Sequence, residues 1–179
     1  VSVSGFGVIQ PADEFDLRLE VGGRVARIHP EFEPGGFIPA GEIIISLEKD
    51  EFDLAVETAE IALEQAKAAY EIEEGRQVIA AEELKLLERD PNLSLDDSSR
   101  ALALRKPQLR QVEAEMKGAQ AALDRALLDR RRSTLTFSRD LIITQAPAEI
   151  GEVLGARELA GHGVSADKLW MEVRLPEDK

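Results

Sequence analysis

The chain has 179 residues and a formal net charge of -13, because 35 acidic residues outnumber 22 lysines and arginines. A chain of this length holds one ordinary domain or two small modules. The negative charge argues against nucleic acid as a partner, since general binding to a phosphate backbone needs clustered cations. Cysteine is absent, and the two histidines, His29 and His162, are far apart in sequence. Disulfide scaffolds, thiol chemistry and histidine-rich metal sites are therefore excluded, and no metal or cofactor site is predicted.

The N-terminal flank has the pattern of short strands separated by dense turns. Apolar residues alternate with polar ones over residues 15–21, and Gly22-Gly23 then interrupts the run. Prolines and glycines punctuate residues 30–41, and residues 43–47 form another short apolar run. Short strands with such frequent turns predict a small β-sandwich.

The middle of the chain, about residues 51–132, is dominated by strong helix formers. Steps of alternating four and three residues from Phe52 follow an apolar seam in which Glu73 and Gln77 are the polar members. A second seam begins at Leu102, and this heptad spacing is that of a coiled coil. The two seams comprise Phe52, Val56, Ala59, Leu63, Ala66, Tyr70, Glu73, Gln77, Ala80, Leu84 and Leu87, and then Leu102, Arg105, Leu109, Val112, Met116, Ala119, Leu123 and Ala126.

A break between the two seams predicts that the helices form a hairpin. Asp90-Pro91-Asn92 stops the helical pattern, so the chain is expected to reverse near residues 90–97 and return antiparallel. Arms of about 37 residues would each reach roughly 55 Å, farther than a small domain is wide. Pro107 lacks an N–H and clashes with the preceding turn, so the second arm is expected to kink or restart there.

An internal repeat flanks the predicted hairpin. Each copy contains an acidic residue, a glycine turn, an apolar position and the start of a strand, so each would expose an apolar face that the other copy covers. We therefore expect the two copies to close on each other as one domain that neither forms alone. With a shift of 116 positions, Glu33, Gly35, Ile38, Ala40, Glu42 and Ile43 align with Glu149, Gly151, Leu154, Ala156, Glu158 and Leu159.

Five segments follow one another in an informative order. They are residues 21–43 (VGGRVARIHPEFEPGGFIPAGEI), 71–88 (EIEEGRQVIAAEELKLLE), 104–109 (LRKPQL), 149–154 (EIGEVL) and 169–176 (LWMEVRLP). This order resembles the periplasmic adaptor, or membrane fusion, subunits of Gram-negative multidrug efflux pumps. In that family the first and fourth segments are halves of a lipoyl-like domain, the second and third belong to the hairpin arms, and the fifth returns into a β-barrel.

The resemblance implies an α+β fold: a lipoyl-like β-sandwich split by a long antiparallel coiled-coil α-hairpin, with partial β-barrel strands at the chain ends. Residues 15–49 and 133–167 would form the lipoyl-like domain, and residues 50–132 the hairpin. Residues 1–14 and 168–179 would form the barrel strands. Within these ends, the alternating segments 1–11 and 169–176 are expected to pair as adjacent strands.

The resemblance also implies a function without catalysis or cofactor. The chain would belong to a periplasmic adaptor that links an inner-membrane efflux transporter, of the resistance-nodulation-division type, to an outer-membrane channel for export of small molecules. It would associate with itself as a trimer or hexamer. The full-length protein would be anchored to the inner membrane.

The hairpin tip is the predicted docking site for the channel. Many members of the family carry Arg, Leu and Ser there, and this chain places Glu83, Leu87 and Ser94 at the same spacing. Leu93 adds an apolar group beside Ser94. Because Glu83 replaces the arginine, the mode of docking is expected to differ. An alternative is that the tip leucines only close the end of the coiled coil.

Two turns carry separate expectations. The sequence Pro34-Gly35-Gly36 predicts a turn with a positive φ at Gly35, or a close backbone approach there. After the second arm, this chain keeps only Asp140 of the family's Ala-Pro-Phe-Asp-Gly turn, which leaves the local geometry open.

Two other functions stay open at this point. One is the related adaptor of an ABC exporter or type I secretion system, although those adaptors often have longer hairpins. The other is a lipoyl or biotinyl carrier, which needs a modifiable lysine at the tip of a tight β-turn between the two halves. The hairpin occupies that junction, and the nearest lysine, Lys49, lies in the charged approach to a helix.

Overall fold

The computed structural model describes residues 6–89 and 95–174. The chain divides into two compact units, one formed by the residues up to Asp50 and from Asp129 onward, and one formed by Glu51–Leu128. The elements in chain order are β1 (Phe6–Pro11), β2 (Glu14–Arg18), β3 (Gly23–Ile28), β4 (Phe37–Ile38), β5 (Ile43–Leu47), α1 (Asp50–Leu87), α2 (Asp97–Ala103), α3 (Lys106–Arg132), β6 (Thr134–Thr136), β7 (Leu141–Gln145), β8 (Val153–Leu154), β9 (Leu159–Ser165) and β10 (Leu169–Arg174).

The first unit contains two four-stranded antiparallel sheets that each combine strands from both sides of the hairpin. Their strand orders are β2-β9-β7-β4 and β6-β5-β3-β8. A shift of 116 positions superimposes the repeat on these strands, since β3, β4 and β5 correspond to β7, β8 and β9. The two sheets therefore have equivalent strand orders. Because β4 pairs with β7 and β8 pairs with β3, each half of the repeat completes the sheet of the other.

The repeat extends to the backbone of its turns. Gly35 has a φ of 92° and its counterpart Gly151 a φ of 87°, which confirms the positive φ predicted for Gly35. Gly41 and its counterpart Arg157 also share the left-handed region, with φ of 83° and 66°. A non-glycine residue is uncommon there, so the turn is imposed on Arg157 by its surroundings.

The core of this unit is built from both halves of the repeat. Leu17, Ile44 and Ile45 come from the first half and Leu141 and Ile143 from the second, and each is at most 1% exposed. The other buried hydrophobic residues of the unit are Leu19, Val25, Phe32, Ile38, Leu47, Ala148, Leu154 and Ala160. Neither half could bury its apolar residues without the other.

The two ends of the described chain pair with each other. β1 and β10 form an antiparallel two-stranded sheet in which Phe6 is opposite Arg174 and Pro11 is opposite Leu169. This confirms the predicted pairing over Phe6–Pro11 and Leu169–Arg174; residues 1–5 and 175–179 lie outside the described residues.

The turn that departs from the family pattern keeps an ordered geometry. Asp140 Oδ1 accepts a hydrogen bond from the Ala40 N–H at 2.8 Å, and the Phe137 carbonyl accepts one from the Gly41 N–H at 2.7 Å. The Phe137 ring lies 4.7 Å from the Phe15 ring. The retained aspartate thus joins the turn after the hairpin to the turn before β5.

The hairpin is inserted between two neighbouring strands. β5 pairs antiparallel with β6, and the Leu47 N–H donates to the Ser133 carbonyl at 2.8 Å. The chain therefore leaves and re-enters the sandwich at adjacent positions.

Candidate docking surface of the helical hairpin

The two arms of the hairpin unit run antiparallel, as three contacts show. Glu88 pairs with Arg100 near the distal end, and Glu73 pairs with Arg105 farther along. At the other end, a cavity of about 590 Å³ is lined by residues 51–62 of α1 and by Ala122 and Ala126 of α3. Residue numbers on the return arm increase as those of their partners on α1 decrease, so the arms are antiparallel. This confirms the predicted hairpin.

The predicted seam holds along most of both arms. Val56, Leu63 and Leu84 are buried on α1, and the other seam positions from Phe52 to Leu84 and from Arg105 to Ala126 are buried or half-buried. The return arm restarts at Lys106, directly before Pro107, as the proline predicts.

Two seam predictions are wrong at the distal end. Leu87 is 61% exposed and Leu102 is 59% exposed, so Leu84 is the last buried apolar residue of α1. The physical reason is the break between α2 and α3, where Arg105 has a φ of 53°. A heptad seam requires two continuous facing helices; Leu102 lies on α2, beyond that break, and Leu87 is the last residue of α1.

We use the name distal patch for three exposed leucines near the distal end of the hairpin: Leu86 and Leu87 of α1 and Leu102 of α2. Leu86 is 60% exposed. The sequence pattern predicted Leu87 as a docking residue but not Leu86. Leu86 lies outside the heptad seam, and this position already indicated that no helix of the hairpin would cover it. Glu83 is also exposed on α1. The other two predicted docking residues, Leu93 and Ser94, lie outside the described residues.

Polar contacts order the elements around the distal patch. Arg100 bonds to Glu88 through Nη2 at 2.9 Å, which ties α2 to the end of α1. Asp96 caps α2 by accepting a hydrogen bond from the Ser99 N–H at 3.1 Å. Hydrogen bonding to Ser99 also lowers the pKa of Asp96. The ends of α1 and α2 that carry the distal patch are thus held by a capping residue and an ion pair.

An ion pair between a buried carboxylate and a half-buried arginine joins the arms where the return arm breaks. Glu73 is only 4% exposed, and the Arg105 guanidinium donates to both of its carboxylate oxygens, from Nε at 2.6 Å and from Nη2 at 3.0 Å. Arg76 adds a contact of 3.4 Å. Hydrogen bonding to Arg105 lowers the pKa of Glu73 below its ordinary value of 4.5, although burial opposes this effect.

The depressed pKa predicts an acid-sensitive hairpin. A group with a lowered pKa in the folded state stabilises the fold fully above its unfolded pKa, here 4.5, and loses that contribution as pH falls through the folded value. We expect the melting temperature of the helical circular-dichroism signal to fall below pH 4.5, and Glu73→Gln to remove part of this fall. An equal acid dependence in the variant and the native chain would contradict the prediction.

A second line of residues lies on the face of α1 opposite the seam. It is displaced from the seam by two residues, about 200° around the helix. Every position on it is exposed, and its large apolar members are each at least 53% exposed. We call it the outer stripe, and these large apolar members are Leu54, Ile61, Ile72, Ile79 and Leu86. Leu54 also lines the open groove that α1 shares with Ala122 and Ala126 of α3.

The corresponding face of α3 differs in size and charge. The exposed positions two residues from the α3 seam include Ala114, Gly118, Ala121 and Arg125, so most of the side chains on this face are small. α1 carries eleven acidic against three basic residues, whereas α3 carries seven basic against four acidic residues. The two arms therefore differ in net charge, and the outer face of α1 carries larger side chains than that of α3.

The requirement of a lipoyl or biotinyl carrier is not met at Lys49, and the described residues form no metal centre. Lys49 lies in the connection between β5 and α1, not in a β-turn between two strands. Within residues 6–89 and 95–174, no three acidic or histidine side chains converge to hold a metal ion. His162 instead pairs with Asp16 at 2.9 Å, and His29 with Glu42 at 2.8 Å. None of the helices in these two ranges has the length and apolar character of a membrane span.

Comparison by sequence gives no match, either to a protein-family profile or to a curated protein. Comparison of structures gives several matches. The periplasmic adaptor protein EmrA matches with a TM-score of 0.59 and 13% identity over 95% of this chain. The fold is that of a periplasmic adaptor.

Two further matches have the same character. A Bacteroides eggerthii protein assigned to efflux transport has a TM-score of 0.64 and 16% identity over 96% of this chain. The membrane fusion protein Spr0693 from Streptococcus pneumoniae R6 has a TM-score of 0.64 and 17% identity over 91% of this chain. The chain spans 48% of the Bacteroides protein, 77% of EmrA and 66% of Spr0693.

Proposed function

We propose that the chain is the sandwich-and-hairpin part of a non-enzymatic periplasmic adaptor for an efflux system. In this role it links an inner-membrane transporter to an outer-membrane channel, and the full-length protein is anchored to the inner membrane. The observation that carries the proposal is the insertion of a long hairpin between adjacent strands of a sandwich whose sheets combine both halves of the chain. The similarity to a periplasmic adaptor and to a membrane fusion protein supports it. The finer assignment is a resistance-nodulation-division transporter that exports small molecules, favoured by the modest arm length of 38 residues in α1.

The distal patch and Glu83 form the proposed docking surface for the channel. Exposed leucines rimmed by charged groups are suited to contact with a partner, whereas a leucine that closed the coiled coil would be buried. Leu87 at 61% exposure fits the first role. The exposed carboxylate of Glu83 would pair with a basic or hydrogen-bond-donating group on the partner. An arginine at this position would instead pair with a hydrogen-bond acceptor.

Export by the full-length protein in its native host tests the docking surface. We expect Leu87→Glu to abolish resistance to the exported compound, because a charge placed in an apolar contact cannot be desolvated. The matched control is Ile150→Glu, which introduces the same charge at a residue that is 68% exposed in the sandwich unit. Unchanged resistance in Leu87→Glu, with protein level and melting temperature preserved in both variants, would contradict the proposal.

The outer stripe of α1 is the proposed surface for self-association, and the outer face of α3 on a second copy is its partner. Large apolar side chains on one face and small ones on the other can interlock, and the opposite charges of the two arms favour this pairing over α1 against α1. The contact uses different surfaces on the two copies. It therefore generates a closed ring if the rotation between copies permits, as in a trimer or hexamer.

Analytical ultracentrifugation tests this contact. We expect Ile72→Glu with Ile79→Glu to lower the oligomeric state, because both side chains are more than half exposed and contribute nothing to the hairpin seam. Val78→Glu is the matched control, since Val78 is 62% exposed but lies off the outer stripe. An unchanged sedimentation profile in the double variant would exclude the stripe as the contact.

A further inference from the structure

The charged member of the α1 seam faces the break in the return arm. Glu73 is buried at a seam position, and its two carboxylate oxygens both bond to Arg105. This forked arrangement fixes direction as well as distance, because the planar guanidinium matches the carboxylate in a single orientation. The pair therefore constrains how the return arm can pass α1.

The backbone of Arg105 is unusual for its residue type. Its φ of 53° lies in the left-handed region, where glycine or asparagine is the ordinary choice at the end of a helix. Backbone strain of this kind persists only where the surroundings hold the residue in place. The Arg105 N–H bonds to the Leu102 carbonyl at 2.9 Å, and α3 starts at the next residue. An arginine at this position is explained by its side chain, which reaches Glu73.

We propose that the Glu73–Arg105 pair is a locking joint of the hairpin. It sets the point at which the return arm breaks, and it fixes the direction of the distal segment, residues 95–104, relative to α1. A buried pair of this kind adds little net stability compared with apolar packing, but a polar pair in a coiled-coil seam can select one register among several. The inference concerns the hairpin alone and does not depend on the proposed function.

Distances between spin labels test the joint directly. The chain has no cysteine, so each introduced pair of cysteines is unique. Labels at Val78 and Ser99 report on the distal side of the joint, and labels at Glu60 and Gln120 report on the arms on the other side of it; all four positions are exposed. With Glu73→Arg we expect the first distance to broaden or to shift by about one helical turn, roughly 5 Å. The second distance should not change.

Three variants separate the joint from its alternatives. The double reversal Glu73→Arg with Arg105→Glu should restore the narrow distribution, because the pair is re-formed with opposite polarity. Arg105→Gly should broaden the distribution although glycine removes the backbone strain. Glu113→Arg is the matched control on α3, where an exposed pair with Lys117 at 2.6 Å is broken, and it should change neither distance.

Each contrary result would overturn the proposal. A native distribution in Glu73→Arg or in Arg105→Gly would show that the backbone and the Glu88–Arg100 pair fix the distal segment without Glu73–Arg105. Failure of the double reversal to restore the distribution, or to recover helicity lost in the single variant, would show that Glu73 acts through something other than Arg105.

Discussion

A fragment of residues 11–48 is expected to show no cooperative thermal transition. It retains the β3–β5 ladder but loses β6, β7, β8 and β9, which complete both sheets. Ile44, Ile45 and Leu47, now at most 1% exposed, would face water. Each such side chain contributes about 1.5–3 kcal/mol when buried, so the loss of these three alone is comparable to the roughly 5–15 kcal/mol that stabilises a domain.

A closed sandwich without the hairpin is the control for this fragment. Residues 49–132 can be replaced by a short Asn-Gly turn, because β5 and β6 are hydrogen-bonded neighbours and Leu47 already bonds to Ser133. We expect this shortened chain to unfold cooperatively, as followed by differential scanning calorimetry. A cooperative transition in the 11–48 fragment itself would show that the first half folds alone, contrary to the shared-sheet arrangement.

Gly36→Ala is expected to lower the free energy of unfolding of the sandwich by about 3 kcal/mol or more, near the upper end of overpacking effects. A Cβ at this position would lie 2.0 Å from the Glu31 carbonyl oxygen and 3.1 Å from that of Glu33. The segment cannot withdraw easily, because the Gly36 carbonyl accepts from the Ile143 N–H at 2.9 Å and the Gly35 N–H donates to the Ile143 carbonyl at 2.8 Å. The clash therefore involves backbone that is bonded to β7.

The same substitution at Gly118 is the matched control, with the opposite expected sign. Gly118 lies within α3, and no atom comes within 4 Å of a Cβ built there. Alanine should stabilise the helix by about 1 kcal/mol, since glycine loses more backbone entropy in a helix. Urea denaturation followed by circular dichroism measures both variants. A Gly36→Ala sandwich as stable as the native one would show that the close approach to Glu31 is not a real constraint.

Periodicity predicted most of the hairpin, but it could not say where the seam stops. The heptad steps correctly gave the buried positions from Phe52 to Leu84, and Pro107 gave the restart of the return arm. They extended the seam to Leu87 and Leu102, because a pattern along one helix contains no information on whether a second helix still faces it. Leu87 is the last residue of α1, and Leu102 lies on α2, which the left-handed residue Arg105 separates from α3. An arginine in the sequence does not predict such a backbone conformation.

The pairing of Glu73 with Arg105 was also beyond the sequence. Both residues stood out as charged members of apolar seams, yet matching them requires the register between the arms. That register depends on how many residues the turn and α2 contain. In the sandwich, the repeat predicted that two halves close on each other. It did not predict that β4 and β8 each pair with a strand of the opposite half, because strand partners are set by tertiary packing.

The adjacency of β5 and β6 makes the length of the hairpin independent of the sandwich. Seven residues added to each arm on the sandwich side of Glu73 and Arg105 would preserve the heptad phase and leave that pair aligned, while each arm grew by about 10 Å. Matched insertions or deletions of this kind need no compensating change in either sheet. In a protein with this layout, the length of the hairpin can therefore change in steps of one heptad while the sandwich stays the same.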